Sequence, residues 1–169
     1  MTYAVPENPA DVTPADLEVL AEQLQRKPRG VVGIAARCVC GRPLVVRTAP
    51  RLPDGTPFPT TYYLTHPGAV AAASRLEGLG VMKEMSQRLT EDEELAAAYR
   101  AAHESYLADR EELGHVDEVD GISAGGMPTR VKCLHVLMGH ALARPGVNPL
   151  GEQALALAAD MWRRDRCTC

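Results

Sequence analysis

Apolar residues are concentrated in one stretch, which predicts a central helix. From Gly125 to Gly151 the sequence reads GGMPTRVKCLHVLMGHALARPGVNPLG, and most residues from Val131 to Leu142 are apolar. A helix that is apolar on all sides lies inside a domain. Glycine and proline bound this stretch at both ends, so we predict a central helix over residues 128–143.

Shorter patterned runs predict the remaining elements. Apolar residues at helical spacing indicate further helices near residues 13–24, 66–79, 81–89, 93–113 and 148–161. Runs of β-branched and apolar residues indicate strands at residues 31–36, 44–48 and 61–65. Because the connections between the strands are short, the simplest topology is an antiparallel meander. The sequence therefore predicts an α+β fold, a small antiparallel β-meander packed by about five helices around the 128–143 helix.

Local composition sets the boundaries of one domain. Residues 1–12 are rich in proline, asparagine and aspartate and are expected to form a loose arm. Residues 13–163 carry the periodic pattern, and residues 164–169, RDRCTC, are expected to form a disordered tail. The sequence TEDE, from Thr90 to Glu93, reads as a capping box at the start of the 93–113 helix.

Composition limits the classes of partner. The 169 residues are 46 % hydrophobic and 24 % charged, which is typical of one globular domain. The net charge of −4 and the single Phe and Trp disfavour nucleic acid and anionic membranes as partners. No apolar run approaches the ~20 residues of a membrane span, and no secretory signal opens the chain. We therefore predict a cytoplasmic bacterial protein that binds neither nucleic acid nor membrane.

Cysteines are the first candidates for chemistry. The chain has Cys38, Cys40, Cys133, Cys167 and Cys169, so that four of the five form two C-x-C pairs. In a cytoplasmic protein thiols stay reduced. Clustered cysteines in that setting indicate metal binding or catalysis before disulfides.

The meander predicts a metal site. Cys38 and Cys40 follow the first strand and His66 follows the third, and an antiparallel meander brings both ends to one edge of the sheet. Thiolate and imidazole both bind zinc. Four such ligands make a closed structural site, and three leave one position open. Candidates for a fourth ligand are Cys133, Cys167 and Cys169. The alternative is a polar turn with unligated thiols and a His66 that only begins a helix.

The central helix carries candidate catalytic residues. Cys133 is a possible nucleophile, with His135 or His140 as its base. A regular helix places His135 roughly opposite Cys133, and His140 lies about 10 Å further along the axis. That geometry favours the alternative, a buried cysteine and hydrogen-bonded core histidines. Whether the protein is an enzyme stays open.

A small anionic ligand is a third candidate. Gly125 and Gly126 precede the predicted helix, whose first turns carry Arg130 and Lys132. Free amides at a helix N-terminus favour phosphate or carboxylate. Further cations come from the meander, namely Arg37, Arg47 and Arg51. Solvated surface arginines explain the same residues equally well.

Three separated phrases carry a family resemblance. In order they are RLPDGTPFPTTYYLT, GMPTRVKCLH and GVNPLG. With them the chain, from about residue 14 onward, resembles the bacterial domain-of-unknown-function family 501. The resemblance implies no agreed activity. It implies gene neighbours encoding enolase, a septum-formation protein and an exopolyphosphatase, and hence a link to cell division or phosphate metabolism and a possible protein partner.

These observations lead to one functional prediction and two alternatives. The prediction is a small zinc-binding accessory or regulatory factor of the cytoplasm. The first alternative is an enzyme with a Cys/His site that acts on a phosphate- or carboxylate-bearing substrate. The second is a cell-division-linked interaction module.

Overall fold

The computed structural model describes residues 7–169; the first half of the predicted N-terminal arm, residues 1–6, lies outside the described residues. One antiparallel sheet has the order β1-β2-β3, with strands β1 (Val31–Arg37), β2 (Pro43–Thr48) and β3 (Tyr62–Leu64). In the described range the helices are α1 (Pro14–Leu24), α2 (Pro67–Gly78), α3 (Val81–Glu91), α4 (Glu93–Glu111), α5 (Leu134–Ala143) and α6 (Pro149–Leu157). The predicted α+β meander fold is confirmed.

The β1–β2 turn and the end of β3 meet at one edge of the sheet. The turn closes through hydrogen bonds from the Cys38 amide to the Arg42 carbonyl and from the Gly41 amide to the Cys38 carbonyl, both 2.8 Å. Gly41 has a φ of 94°, a conformation that glycine adopts without steric cost. Beyond β3 the Thr65 amide still bonds the Leu44 carbonyl at 2.9 Å. The sheet therefore places the cysteines of the turn beside the start of α2.

Helix α5 is the centre of the core, as its apolar sequence predicts. Eight of its ten residues are buried, and it contacts β3, α2 and α6. Glycines allow the backbones to approach closely. A Cβ at Gly139 would lie 3.2 Å from the Tyr62 carbonyl oxygen, and one at Gly151 of α6 would collide with the Leu137 carbonyl. Interiors are packed too tightly to absorb such added atoms without a shift.

The predicted start of the central helix at residue 128 is wrong, because α5 begins at Leu134. The preceding segment folds back on itself at two glycines with positive φ, Gly125 and Gly126. Their carbonyls accept hydrogen bonds from the amides of Lys132, at 2.7 Å, and Arg130, at 3.1 Å. Cys133 is the N-cap residue of α5 and is extended, with φ −150° and ψ 112°.

Two other local predictions have different outcomes. The capping box from Thr90 to Glu93 is wrong: Thr90 lies in the last turn of α3, and Asp92 caps α4 by accepting the Leu95 amide at 2.9 Å. Residues 7–12 of the predicted arm lie against β1, where the Ile34 amide bonds the Ala10 carbonyl at 2.9 Å.

Candidate metal centre

Four cysteines from two distant parts of the chain converge. Cys38 and Cys40 come from the β1–β2 turn, and Cys167 and Cys169 come from the segment after α6. The Sγ atoms of Cys40 and Cys169 are 3.5 Å apart, and those of Cys38 and Cys169 are 3.7 Å apart. All four sulfur atoms lie within 4.8 Å of one another. We call these residues the four-cysteine cluster.

The spacing of the sulfurs matches a tetrahedral metal site. Zinc binds thiolate at about 2.3 Å, so two sulfurs of a regular tetrahedron stand about 3.8 Å apart. The two separations to Cys169 are 3.5 and 3.7 Å. Only small movements are therefore needed for the cluster to hold a tetrahedral ion.

Packing against α2 positions the segment that carries Cys167 and Cys169. Trp162 is buried, and its ring lies 5.8 Å from that of His66, between centroids. A Cβ at Gly68 would lie 2.8 Å from Trp162 Cδ1 and 3.1 Å from Thr168 Oγ1. The segment thus packs against Gly68, which has no side chain. The expectation that residues 164–169 form a disordered tail does not fit these contacts.

His66 touches the cluster but is oriented as a hydrogen-bond donor. Its Nδ1 accepts the amides of Gly68, at 3.1 Å, and Ala69, at 3.4 Å, and so caps α2. The proton of a neutral ring then sits on Nε2, which lies 3.1 Å from Cys169 Sγ. Burial, with a smaller effect of the Arg42 charge, lowers the pKa of His66 and keeps the ring neutral. His66, predicted as a ligand, therefore faces the sulfur with N–H rather than with a lone pair.

The thiols differ in their readiness to ionise. Burial raises the pKa of Cys38. Burial acts the same way on Cys40, but hydrogen bonds with the Arg42 backbone and with Cys169 outweigh it and lower the pKa of Cys40. Burial and the hydrogen bonds to Cys40 and Cys38 raise the pKa of Cys169. Adjacent thiolates repel one another, and a divalent cation among them removes that repulsion.

Cys133, one of the candidates for the fourth metal ligand, lies in a different cluster. Its Sγ, a Glu77 carboxylate oxygen and a His135 ring nitrogen are all within 4.8 Å of one another. The argument that a regular helix separates Cys133 from His135 fails, because Cys133 precedes α5 and is extended. Sequence reasoning missed Glu77, whose only local signal is its place in the last turns of α2.

His140 is a core residue. Its ring stacks on Tyr62, with centroids 5.8 Å apart, and meets Tyr106 edge-on at 5.0 Å. Its Nδ1 lies 3.2 Å from Asn148 Nδ2. Burial lowers the pKa of His140 to about 4. Cys133 and His135 line a cavity that His140 does not line. The second candidate base, His140, therefore lies in the core, away from that cavity.

The candidate anion-binding residues are not gathered at a helix N-terminus. Arg130 and Lys132 are exposed and precede α5, so the geometric basis for that site is wrong. Arg37 bonds Asp16 at 2.7 Å and Arg51 bonds Glu118 at 2.8 Å. Anion binding by these four residues stays a prediction.

Fold and site together define a small α+β protein with a four-cysteine cluster. The chain belongs to the family described as Protein of unknown function (DUF501), whose model matches residues 34–156. The resemblance seen in the sequence is thereby confirmed. The matched range contains Cys38, Cys40 and His66 and ends before Cys167. Neither a curated protein nor a solved structure matches the chain.

Within residues 7–169 no helix has both the length and the apolar character needed to cross a membrane. The longest, α4, has 19 residues but carries charged residues along its length.

Proposed function

We propose that the protein binds one zinc ion through Cys38, Cys40, Cys167 and Cys169. The observation that supports this most directly is the pair of sulfur separations at Cys169, 3.5 and 3.7 Å, close to the tetrahedral value. Tetrahedral sites of four thiolates select zinc or iron, and zinc needs no particular redox state. Free thiols suit the reducing cytoplasm, which we retain as the location.

The proposed role of the ion is structural. A site closed by four protein ligands leaves no position for substrate. The ion would join the β1–β2 turn to the segment 163–169, which is otherwise held by packing of Trp162 and Thr168 at Gly68 and by the contact of His66 with Cys169. Metal supply then decides whether that segment stays on the domain, and this is the sense in which we propose an accessory or regulatory factor.

Metal analysis of protein purified without chelator tests the proposal. We expect about one zinc per chain. Cys169→Ser should weaken zinc binding by more than the about 10–100-fold that outer-shell changes cause. Cys133→Ser is the matched control, the same substitution outside the four-cysteine cluster, and should bind zinc like the wild type. Iron in place of zinc, or equal losses in the two variants, would contradict the proposal.

One of the two alternatives keeps a supporting observation. An enzyme with a Cys/His site gains support from the proximity of Cys133, His135 and Glu77 beside a cavity. Arg130 and Lys132 do not line that cavity, so no anionic substrate is proposed there. A cell-division-linked interaction module and a protein partner stay predictions from the family resemblance.

A further inference from the structure

A second site lies at the start of α5, apart from the four-cysteine cluster. Cys133 and His135 both line a cavity of about 620 Å³, between α2, β3 and α5. Cavities of this size accept small organic molecules. The side chain of His135 is 29 % exposed, so it is within reach of a molecule in the cavity yet partly shielded from water.

Hydrogen bonds fix the orientation of the His135 ring. Its Nδ1 lies 2.9 Å from Glu77 Oε1, and its Nε2 lies 3.1 Å from Ser74 Oγ. Glu77 Oε1 also accepts the Leu134 amide at 2.8 Å, so the carboxylate is held by the first turn of α5. A carboxylate at Nδ1 places the transferable proton or lone pair on Nε2.

These bonds favour proton transfer over metal binding at this cluster. The Glu77 oxygen that faces His135 already accepts two N–H groups, from the ring and from the Leu134 amide. An oxygen engaged in this way orients the ring, as the third member of a nucleophile–base–carboxylate arrangement does. The cavity-lining thiol of Cys133 is the nucleophile that such an arrangement needs.

The wall of the cavity indicates the kind of substrate. Apolar side chains predominate, among them Leu24, Leu64, Val70 and Val136. Within residues 7–169, His135 is the only ionisable group of the lining besides Cys133 and the tyrosines. Such a wall binds an apolar chain and offers no cation cluster for phosphate. Among the first-turn amides of α5 that of Leu134 already bonds Glu77, and those of His135 and Val136 are donors suited to a developing oxyanion.

We propose that Cys133 is the nucleophile of an acyl-transfer site, with His135 as its base and Glu77 as the positioning residue, and that the cavity holds the apolar acyl chain of an ester or thioester. The proton of the Cys133 thiol resides on His135 as the sulfur forms a bond to the carbonyl carbon. The bond to the leaving alcohol or thiol breaks, and the leaving group receives that proton. Water then attacks the thioester, returns a proton to the Cys133 sulfur through His135, and releases the acid.

The charge balance around the ring agrees with this assignment. The titratable groups that face His135 are Cys133, from the adjoining loop, and Glu77, from α2. Their hydrogen bonds, that of Cys133 first, raise the pKa of His135 to about 9 in spite of burial. A proton held on this ring is placed for delivery to a leaving group in the cavity.

Alkylation tests the nucleophile. Zinc-loaded protein is treated with iodoacetamide at pH 7, and the rate at Cys133 is read by peptide mass spectrometry. We expect Cys133 to react about tenfold faster in the wild type than in His135→Gln, because the base that activates the thiol is then missing. Glu77→Gln should lose part of this rate, and Glu77→Asp should recover it.

Acylation tests the reaction. The probes are p-nitrophenyl acetate, butyrate and hexanoate, with p-nitrophenolate release and the mass of the acylated peptide as readouts. We expect the adduct on Cys133 and faster acylation with the longer chains. Cys133→Ser and Cys133→Ala should both lose it while the melting temperature stays near that of the wild type. No adduct should form on Ser74, which bonds His135 Nε2 but does not line the cavity.

Four results would overturn the inference: an alkylation rate at Cys133 that His135→Gln leaves unchanged, no adduct with any of the three esters, an adduct on Ser74, or protection of Cys133 by added zinc. The last would make the cluster a metal site. None of these depends on the four-cysteine cluster, because the same measurements are repeated after chelation.

Discussion

Two regions of this protein bring cysteine and histidine together. They differ in the group that forms a hydrogen bond with Nδ1 of the histidine ring. At the four-cysteine cluster, Nδ1 of His66 accepts the backbone amides of α2, so Nε2 presents N–H to a sulfur. At the start of α5, Nδ1 of His135 faces the Glu77 carboxylate, so Nε2, beside Ser74 Oγ, is the atom that we propose exchanges a proton. The comparison teaches that the hydrogen-bond partner of Nδ1, more than the presence of a nearby thiol, decides the role of a histidine.

The largest expected difference between the two regions is the response to a chelator. Removing zinc should lower the free energy of unfolding by about 3–4 kcal/mol, the linkage expected when free metal stands 100–1,000-fold above its dissociation constant. Trp162, the single tryptophan, packs on His66 and should report release of the segment 163–169 by its fluorescence. The alkylation rate of Cys133 should not change. Unfolding curves that coincide with and without chelator would remove the structural role of the metal.

A smaller effect separates the two functions of His66. His66→Asn keeps a good N-cap for α2 but cannot extend an N–H to Cys169 in the same way. We expect the stability of the metal-free protein to be nearly unchanged and zinc to bind about 10–100-fold more weakly, as for an outer-shell partner. Zinc titrations of the variant measure this. Complete loss of binding would make His66 a ligand, and unchanged binding would deny it any part in the site.

The smallest expected effect is that the two regions depend on pH in opposite directions. Zinc binding needs deprotonated thiols, so the four-cysteine cluster strengthens as pH rises. The folded pKa of His135, about 9, stands above its unfolded value near 6.5, so its stabilising contribution is complete below about pH 6.5 and is lost as pH rises through 9. For a partly exposed group we expect about 1 kcal/mol.

Thermal unfolding of chelated protein between pH 6 and 10 measures that contribution. The difference between wild type and His135→Gln should shrink as pH rises. A difference that is constant with pH, or that grows, would mean that His135 is not charged in the folded protein. His140, whose pKa is lowered to about 4, titrates below this range and does not interfere.

The sequence predicted what local pattern determines. Strand order, the burial of Leu134 and of residues 136–142, and the placing of Cys38, Cys40 and His66 at one sheet edge follow from periodicity and short connections. The start of α5 could not be predicted, because the carboxylate that accepts the Leu134 amide belongs to Glu77, far away in the chain. Because the sequence predicts a helix that already begins at residue 128, it places Cys133 and His135 on opposite sides of that helix.

The sequence offers Cys167 and Cys169 only as candidates for a fourth ligand and does not predict that both join the cluster, for a similar reason. Residues 163–169 have no periodic pattern, and their position depends on packing of Trp162 and Thr168 at Gly68. Such contacts between distant segments leave no local signal. The repeat of the C-x-C spacing at 38–40 and 167–169 was the one available sign that the two pairs share a site.

The central claim is that four cysteines hold the metal and the fifth does not. It is tested most directly by alkylating native protein with and without zinc and counting the modified cysteines by peptide mass spectrometry. The account predicts that zinc protects Cys38, Cys40, Cys167 and Cys169 together, whereas Cys133 is alkylated at the same rate in both samples. Protection of Cys133, or alkylation of Cys167 and Cys169 that zinc does not slow, would contradict it.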